Sequence, residues 1–544
     1  MLEGCVPWPA ELLRRYRDAG ALRDETLGEL LDEAARRFPD RIAIVQGETR
    51  LSYAALHQLI ERAADHLVAL GFQPSERVVI QTPNVPEFVI LYFAMLKIGV
   101  LPILAIPAHR AAEIDFFIGH AEAAGYVIAS RYRNFDYLAL AAEQRERHPF
   151  LRSVLVVDDG CPERPGFISI PKLLAREAPR RPAFRPDPFD VALFQLSGGT
   201  TGLPKLIPRT HTDYCYNSRL VAQIFEFDRS TVVMVAIPVS HNFPIQWGIQ
   251  APFMVGATAV LVKDPNPAEI LAAIEREHVN VLPAVPAQHV AIMDRLESER
   301  RDVSSLKHII GGGSKFVSAA AQRAIDLYGC RVQQVLGMAE GFCCVTRLDD
   351  PLPAVLETVG RPLSELDEFR LVDPEEREVA PGETGELLVR GPYTIHGYYR
   401  APEHNAKGFT ADGFYRTGDV LRLDDAGNLV VEGRSKDVIN RAGEKFSAEE
   451  VENLLADHPQ IQSAVLVAMP DRVMGEKGCL FAIAREGQTP TLADVVAHME
   501  SKRVARFKYP ERLEIVQQFP LTAVGKISRR ELRELIARKL EEES

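Results

Sequence analysis

Cysteine is scarce in this chain and follows no pattern typical of disulfides or metal sites. The 544 residues include 7 cysteines, an odd number without the paired short spacings of a zinc site. This pattern argues against a disulfide framework and favours a reducing compartment. We therefore expect a cytoplasmic protein.

The sequence also lacks a long uninterrupted apolar run. No apolar segment of signal-peptide type stands at the N-terminus. The most apolar segment, residues 88–106, contains Lys97, Gly99 and Pro102, whereas a membrane-spanning helix needs about 20 mostly apolar residues. The pattern instead predicts a buried helix over 87–98 followed by a buried strand over 101–106. We expect no membrane partner.

An excess of positive charge is absent as well. The chain has 63 Lys and Arg against 75 Asp and Glu, a formal net charge of −12. Nucleic-acid-binding surfaces are usually basic, so we expect no nucleic-acid partner. The apolar fraction of 46% and the charged fraction of 25% are those of a soluble globular protein. The length predicts several domains, since one domain usually holds about 100–200 residues.

Short apolar strands alternate with helical segments over much of the chain. Examples are VVMVAI at 232–237 and HIIGG at 308–312, and the alternation favours layered α/β structure with largely parallel sheets. After about residue 358 the strands alternate apolar and polar residues, and many turn residues separate them. This pattern predicts a small barrel-like part over about 358–434. Helix and strand patterns resume after that part. We therefore predict a large N-terminal region, 1–434, and a smaller C-terminal domain, 435–544.

The sharpest local motif is LSGGTTGLPK at residues 196–205, directly after an apolar strand. Glycines and hydroxyl side chains followed by a lysine suit a loop whose N–H groups surround phosphate oxygens. The spacing from glycine to lysine is not that of a Walker A loop. Taken alone, the motif fits either a phosphate-binding loop or an ordinary turn.

Five motifs in register resemble those of a known family. The loop resembles the phosphate-binding motif of the adenylate-forming superfamily of acyl- and aryl-CoA ligases, peptide synthetase adenylation domains and luciferases. Four further segments resemble its later motifs in the expected order: GMAE (337–340), YRTGD (415–419), GRSKDVINRAGE (433–444) and PLTAVGK (520–526). The resemblance implies an α/β (multidomain α+β) fold. Two layered α/β subdomains and a small β-barrel would form an N-terminal adenylation core, 1–434, which binds ATP and the aryl acid. A mobile α+β catalytic domain, 435–544, would follow.

Other segments resemble stand-alone aryl-acid–AMP ligases, which activate 2,3-dihydroxybenzoate or salicylate in siderophore pathways. They include KLIPRTHTDYCYN (205–217), SHNFP (240–244) and RGPYTIHGYYRAPEHN (390–405). The resemblance runs from about residue 6 to the C-terminus. It implies attack of an aryl carboxylate on ATP, giving aryl-AMP and pyrophosphate. Transfer to the phosphopantetheine thiol of a holo aryl carrier protein would follow, for siderophore or nonribosomal peptide synthesis.

The resemblance also implies the residues of a catalytic site that uses ATP and Mg²⁺. Lys526 would bridge the carboxylate and the α-phosphate, Glu340 would hold Mg²⁺, and Asp419 would bind the ribose hydroxyls. The other implied ATP-binding residues are Ser197, Gly198, Gly199, Thr200, Thr201, Gly202, Lys205, Gly312, Gly337, Met338, Ala339 and Arg434.

The implied aryl-acid site centres on Asn242, whose amide can both donate and accept hydrogen bonds, as a 2-hydroxyaryl carboxylate requires. His241 would gate the pocket and is also an implied catalytic residue. The remaining implied contacts are Phe243, Trp247, Gly311, Gly312 and Cys343.

Trp247 departs from the family pattern. Dihydroxybenzoate activators have a small residue there, near the 3-hydroxyl of the ring, and an indole is expected to shrink or reshape the pocket. Cys343 and Cys344 fall on another wall segment, and Gly311 is expected to open compensating space. Salicylate, 2,3-dihydroxybenzoate and a heteroaryl analogue such as 3-hydroxypicolinate stay open as substrates.

For the transfer step, the resemblance implies a hinge at Lys436 and a thiolation loop formed by Gly443, Glu444 and Lys445. A basic run near the C-terminus fits either a solvated helix face or a docking patch for an acidic carrier protein: Lys502, Arg503, Arg506, Lys508 and Arg512. An aryl-CoA ligase and a catalytically silent ATP-binding homologue are the alternative functions.

Overall fold

The computed structural model describes all of the chain except residues 198–203, 314–315, 317, 374, 435–437, 456, 521–526, 528 and 544. It also leaves out the side chains of residues 319, 432–434, 438, 447, 449, 453 and 530. The chain forms two compact units. The larger comprises Met1–Pro107, Phe117–Ser197 and Leu206–Gly433. The described part of the second comprises Ala108–Phe116, residues 204–205 and residues from 434 onward.

The helices, in chain order, are α1 (Ala10–Asp18), α2 (Leu27–Arg37), α3 (Tyr53–Ala69), α4 (Pro86–Lys97), α5 (Ala111–Ala121), α6 (Tyr137–Arg147), α7 (Ile170–Leu174), α8 (His211–Ile224), α9 (Asn242–Pro244), α10 (Ala251–Met254), α11 (Pro267–Glu277), α12 (Pro286–Ser298), α13 (Ser318–Tyr328), α14 (Leu352–Glu357), α15 (Pro402–Gly408), α16 (Ala448–Leu454), α17 (Leu492–Ser501) and α18 (Arg529–Glu543). A π-helix, Ile245–Gln250, joins α9 to α10, and a 3₁₀ turn spans Arg506–Lys508.

The strands of the larger unit are β1 (Ile42–Gln46), β2 (Thr49–Ser52), β3 (Arg77–Gln81), β4 (Leu101–Leu104), β5 (Gly125–Ile128), β6 (Arg131–Tyr132), β7 (Phe135–Asp136), β8 (Ser153–Val156), β9 (Phe167–Ser169), β10 (Val191–Leu196), β11 (Leu206–Thr210), β12 (Val232–Val235), β13 (Thr258–Leu261), β14 (Val281–Ala284), β15 (His308–Gly312), β16 (Arg331–Gly337), β17 (Cys343–Val345), β18 (Arg361–Pro362), β19 (Glu368–Val372), β20 (Gly385–Arg390), β21 (Tyr415–Leu423) and β22 (Leu429–Arg434). Those of the second unit are β23 (Val438–Arg441), β24 (Glu444–Ser447), β25 (Ile461–Asp471), β26 (Gly475–Ala484) and β27 (Arg512–Ile515).

Two large sheets with parallel centres form the layered part of the larger unit. One has the order β18-β17-β16-β15-β14-β12-β13-β1-β2 and the other β11-β10-β4-β3-β5-β8-β9. Antiparallel partners stand only toward the edges, such as β11 beside β10 and β17 beside β16. Strands β4, β5 and β8 are buried along their whole length. Sheets covered on both faces require such largely apolar runs, which is why these strands do not alternate between apolar and polar residues.

Helix α4 lies in the main core rather than on the surface. Its residues from Phe88 to Leu96 are all buried in one cluster that includes side chains of both large sheets. A helix that is apolar all round must be enclosed on every side. The predicted buried helix and following strand over residues 87–106 are therefore confirmed as α4 and β4.

A four-stranded antiparallel sheet, β19-β20-β21-β22, follows the layered part. Its inward side chains, among them Leu387, Val389 and Leu421, form a cluster with Phe342 and Cys344. This sheet is the half-barrel of the mixed α/β fold. It confirms the barrel-like part that the strand pattern after residue 358 predicts.

The second unit is an α+β domain built on the sheet β24-β23-β26-β25, with β27 paired to β26. The long hairpin of β25 and β26 alternates its side chains between two cores. One face packs on α16 and α17, and the other packs on Leu532 and Ile536 of α18. Across the described residues of both units, no helix is long and apolar enough to cross a bilayer.

One buried side chain joins the ends of the two large sheets. The Asn84 amide follows β3, is 3% exposed, and donates to the carbonyls of Val235, Ile237 and Val262. Its Oδ1 accepts from the backbone N–H of Val239 at 2.8 Å. Buried backbone groups without partners are costly. This one amide satisfies backbone groups at the carboxyl ends of both β12 and β13.

We expect Asn84→Ala to lower the free energy of unfolding of the larger unit by about 3 kcal/mol, because several buried backbone groups lose their partner. Urea unfolding followed by tryptophan fluorescence measures it, since both tryptophans, Trp8 and Trp247, lie in this unit. The matched control is Asn266→Ala, which removes the cap of α11 and should cost about 1 kcal/mol. Equal losses in the two variants would contradict this role of Asn84.

Candidate active site

A tight turn between β16 and β17 presents the acidic residue of the GMAE motif. Met338 N–H donates to the Phe342 carbonyl, and Gly341 N–H donates to the Met338 carbonyl. Gly341 has φ +136°, and a Cβ on it would lie 1.9 Å from the carbonyl oxygen of Tyr393. Only glycine permits this approach, and the approach brings Glu340 against the segment that follows β20.

The carboxyl group of Glu340 is held by tyrosines. Tyr398 Oη donates to Glu340 Oε1 at 2.8 Å and lies 2.9 Å from Tyr415 Oη, while Ile395 N–H donates to the Glu340 carbonyl. Burial, and then the nearby Glu340, raises the pKa of both tyrosine hydroxyls well above the usual value. Both hydroxyls therefore stay protonated and available as donors. Glu340 itself is 8% exposed.

The amide of Asn242 has a defined orientation. Asn242 begins α9, and its Oδ1 accepts a hydrogen bond of 2.6 Å from the hydroxyl of the buried Tyr214. Its Nδ2 points toward the Met338 carbonyl at 3.5 Å. The acceptor side of the amide is thus engaged by the protein, and the NH₂ group is left as the donor for a bound acid. His241, half-buried, precedes it as the N-cap residue of α9.

Aromatic side chains beside Asn242 form an apolar wall. The Phe243 and Trp247 rings meet edge to face at 5.2 Å, and Trp247 also meets Phe225 at 6.2 Å. Trp247 is 2% exposed and belongs to one cluster with Cys343. Gly312 leaves room for this wall, since a Cβ there would lie 3.0 Å from the Phe243 ring. The structure therefore brings together the predicted residues Asn242, Phe243, Trp247, Gly312 and Cys343.

Two expectations about the wall need correction. A Cβ on Gly311 would meet Phe316 at 2.7 Å, so the space beside Gly311 is filled and lies on the opposite face of β15 from Gly312. Gly311 therefore does not open compensating room beside Phe243 and Trp247. Cys344 packs with the half-barrel cluster rather than with Trp247, because successive residues of a strand face opposite sides.

Only some of the other residues predicted to bind the nucleotide lie in the described part of the chain. Asp419 is 7% exposed on β21, and its N–H donates to the hydroxyl of Thr417. Ser197 follows β10 in the larger unit, and Gly337 ends β16. Lys205 precedes β11 and belongs to the second unit. The side chain of Arg434 and the whole of Gly198, Gly199, Thr200, Thr201, Gly202, Lys436 and Lys526 lie outside the described residues.

The predicted thiolation loop is a β-hairpin turn of the second unit. Ala442 and Gly443 join β23 to β24 with φ values of +51° and +95°, the two left-handed residues of a type I′ turn. The Gly443 N–H donates to Asn440 Oδ1 at 3.1 Å. Glu444 and Lys445 begin β24, half-buried.

The basic run is not a continuous charged surface. Lys508 is 3% exposed and pairs with Glu113 at 2.9 Å and Glu450 at 2.8 Å. Arg512 pairs with Glu514 and Glu543, and Lys502 pairs with Asp457. The prediction of a docking patch or a solvated face is therefore wrong for Lys508, whose charge is used inside the second unit.

Sequence reasoning missed the residues that hold the predicted ones in place. Tyr214 orients Asn242, Tyr398 holds Glu340, and Arg209 contacts both regions. All three lie in segments that resemble the aryl-acid–AMP ligases, but no motif assigns them a role. Their contacts span 28, 58 and 130 residues of sequence, which spacing alone does not reveal.

The chain belongs to the AMP-binding enzyme family. The model of the AMP-binding enzyme matches residues 31–399, and the model of the AMP-binding enzyme C-terminal domain matches residues 450–526. It is thus an adenylate-forming enzyme, which uses ATP.

Known relatives match along nearly the full length. The chain is 46% identical over 541 residues to the 2,3-dihydroxybenzoate-AMP ligase of Bacillus subtilis, covering 99% of each chain. It is 43% identical to the salicyl-AMP ligase / salicyl-S-ArCP synthetase of Mycobacterium tuberculosis, covering 97% and 94%. The apo structure of Mycobacterium smegmatis MbtA is similar with a TM-score of 0.76 and 40% identity, covering 98% of each chain. The resemblance to aryl-acid–AMP ligases and the expected fold are confirmed.

We expect Gly341→Ala to reduce adenylation, measured as ATP–pyrophosphate exchange, by about a hundredfold, because a Cβ cannot fit against Tyr393 and Glu340 must move. The matched control is Gly382→Ala in the half-barrel. Gly382 also has a positive φ, +85°, but a Cβ on it would meet nothing within 4 Å. That control carries the conformational penalty without the clash and should keep full exchange. A wild-type rate in Gly341→Ala would contradict the role given to this turn.

Proposed function

We propose that the chain activates a 2-hydroxyaryl carboxylic acid with ATP and then transfers the aryl group to the thiol of a holo aryl carrier protein. The observation that carries the proposal is the turn at residues 337–341. Its Met338 carbonyl faces the Asn242 amide, and two residues later Glu340 presents a carboxyl group. One short turn therefore joins the contact for the acid to the contact for the nucleotide.

In the first step the carboxylate oxygen bonds to the α-phosphorus of ATP, and the bond from that phosphorus to the pyrophosphate oxygen breaks. Both reactants are anionic, and two unit charges about 4 Å apart repel by about 4 kcal/mol at an effective dielectric of about 20. Cations and N–H donors aimed at the transition state must offset this repulsion. We assign that role to Lys526, with Ser197, Thr200, Thr201 and Lys205 on the phosphates and Asp419 on the ribose.

Glu340 fits a magnesium ligand. Mg²⁺ prefers oxygen ligands and usually binds through one or two carboxylates together with substrate phosphates. The Tyr398 hydroxyl fixes the Glu340 carboxyl group at one oxygen, which presets its direction. When bound, Mg²⁺ would neutralise charge on the departing pyrophosphate. The carboxyl group of Glu340 would hold the ion.

The orientation of Asn242 supports an ortho-hydroxy acid as substrate. Tyr214 donates to Asn242 Oδ1, and one hydrogen of the Asn242 NH₂ group points toward the Met338 carbonyl. The second hydrogen of the NH₂ group therefore requires an acceptor atom. The oxygen of a 2-hydroxyl group accepts that bond while its hydrogen bonds to the neighbouring carboxylate of the same molecule. The relatives that act on 2,3-dihydroxybenzoate and salicylate support the same substrate class.

The acceptor in the second step separates the proposal from its alternatives. The thiol sulfur attacks the acyl carbon, and AMP leaves with the bonding electron pair. The relative named salicyl-S-ArCP synthetase supports a carrier protein, whereas one named salicylyl-CoA synthase / salicylate adenylyltransferase, 43% identical, supports an aryl-CoA ligase. A catalytically silent homologue would show no exchange with any aryl acid. The proposed end product of the pathway is a siderophore or a nonribosomal peptide. The proposed location is the cytoplasm, which the seven free cysteines support.

Trp247 is expected to restrict substituents at the 3-position of the ring. We expect wild type to prefer salicylate or 3-hydroxypicolinate over 2,3-dihydroxybenzoate in ATP–pyrophosphate exchange. Trp247→Ser should raise the kcat/KM for 2,3-dihydroxybenzoate relative to salicylate by about tenfold, since pocket shape changes of this size are worth about 1–3 kcal/mol. Trp8→Ser, at the other tryptophan, is the matched control and should leave the ratio unchanged. A wild-type preference for 2,3-dihydroxybenzoate would contradict the role given to Trp247.

We expect the two half-reactions to depend on different lysines. Lys526→Ala should lower adenylate formation by about a hundredfold or more, because the transition-state cation is lost, yet still transfer the aryl group from preformed aryl-AMP. Lys445→Ala, in the predicted thiolation loop, should do the reverse. Single-turnover assays with holo-carrier protein, and with CoA as second acceptor, measure both steps. Equal loss of both steps in Lys526→Ala would contradict this division.

A further inference from the structure

Arg209 is among the largest fully buried side chains of the larger unit. It lies on β11, and its side chain is 0% exposed. A buried guanidinium is costly unless its donors are paired. The contacts of its guanidinium therefore indicate the role of Arg209.

Three groups surround this guanidinium. Its Nε donates to Asp213 Oδ1 at 3.1 Å, and its Nη2 lies 2.9 Å from the same oxygen as an ion pair. Its carbon lies 4.1 Å from the centre of the Tyr214 ring, and its Nη1 donates to the Ala339 carbonyl at 2.9 Å. Asp213 also accepts from Thr210 as part of the capping box of α8, which fixes where the carboxylate stands.

Each of these partners leads to a different part of the site. Tyr214, packed under the guanidinium, orients the Asn242 amide through its hydroxyl. Ala339 immediately precedes Glu340 in the turn. The guanidinium therefore touches both the support of the acid-binding amide and the backbone that carries the acidic residue.

We propose that Arg209 is a positioning residue that sets Asn242 and Glu340 relative to each other, so that the acid and the nucleotide are bound in register. The inference rests on the proposed function. The planar fork of arginine supplies donors in several directions and a flat face for the ring. Lysine offers a single ammonium group, which can keep the pair with Asp213 but cannot also hold Tyr214 and the Ala339 carbonyl.

The test measures steady-state ATP–pyrophosphate exchange with salicylate and Mg-ATP varied separately. In Arg209→Lys we expect the KM for both substrates to rise by about fivefold or more, because the hydrogen bond to the Ala339 carbonyl is lost on one side and the contact with the Tyr214 ring on the other. Tyr214→Phe removes the hydroxyl that bonds to Asn242 but keeps the ring under the guanidinium, so we expect the KM for salicylate alone to rise. A purely structural role would lower the amount of active enzyme, and hence kcat, without moving either KM.

Arg219→Lys is the matched control. Arg219, on α8, also pairs with a carboxylate, Glu25, donates to a backbone carbonyl, that of Ala21, and lies over a tyrosine ring. It touches none of the predicted site residues in these contacts, and both KM values should stay as in wild type.

If thermal melting shows that Arg209→Lys does not fold, Asp213→Asn takes its place, since it removes the charge that holds the guanidinium. We expect both KM values to rise in it as well, by about threefold. A folded Arg209→Lys or Asp213→Asn enzyme in which either KM stays within about twofold of wild type would overturn the role of Arg209. Absence of exchange with any aryl acid in the wild type would instead contradict the proposed function itself.

Discussion

Burial of a carboxyl group is the constraint around which the site is organised. A carboxyl group removed from water needs partners for its oxygens, and Glu340 obtains one from the hydroxyl of Tyr398, itself paired with Tyr415. Both tyrosines belong to the half-barrel cluster. The half-barrel is thus more than a covering layer, because it supplies the donors that let an acidic residue stand at the end of a buried strand. The close approach of Gly341 to Tyr393 follows from the same requirement.

The layered sheets solve the complementary problem of gathering loops from distant parts of the chain. Parallel strands end on one side of a sheet, and ligands usually bind outside those carboxyl ends. In the larger unit, the turn after β16, the start of α9 and the Asn84 link all follow strand ends. Asn242 and Glu340 supply polar groups there, whereas the apolar wall of Phe243 and Trp247 stands beside Asn242. A flat aromatic acid with one polar edge matches this division.

Much of the fold was predictable because its signals are local. The strand HIIGG at 308–312 has the predicted bounds, and the helix predicted over 87–98 is α4, Pro86–Lys97. Continuous apolar runs are properties of short segments, so a sequence shows them directly. The confirmed superfamily resemblance likewise rests on short motifs. The errors concern facing and pairing: Gly311 faces Phe316 because of the register of β15, and Lys508 is buried between carboxylates contributed by distant segments. Arg209 and Ala339 are 130 residues apart, so only the folded chain reveals their bond.

The π-helix at Ile245–Gln250 has a consequence for how this wall can change. Hydrogen bonds in such a segment close between residues five apart rather than four, so it contains one residue more than an α-helix of the same number of turns. Loss of a single residue would restore α-helical winding without rotating the helix beyond it, because the shorter α-helical segment turns through about the same total angle. Because Trp247 lies inside the segment, such a loss would change which side chain stands at its place in the wall. Insertions and deletions, and not only substitutions, are therefore a route by which pockets of this shape diverge.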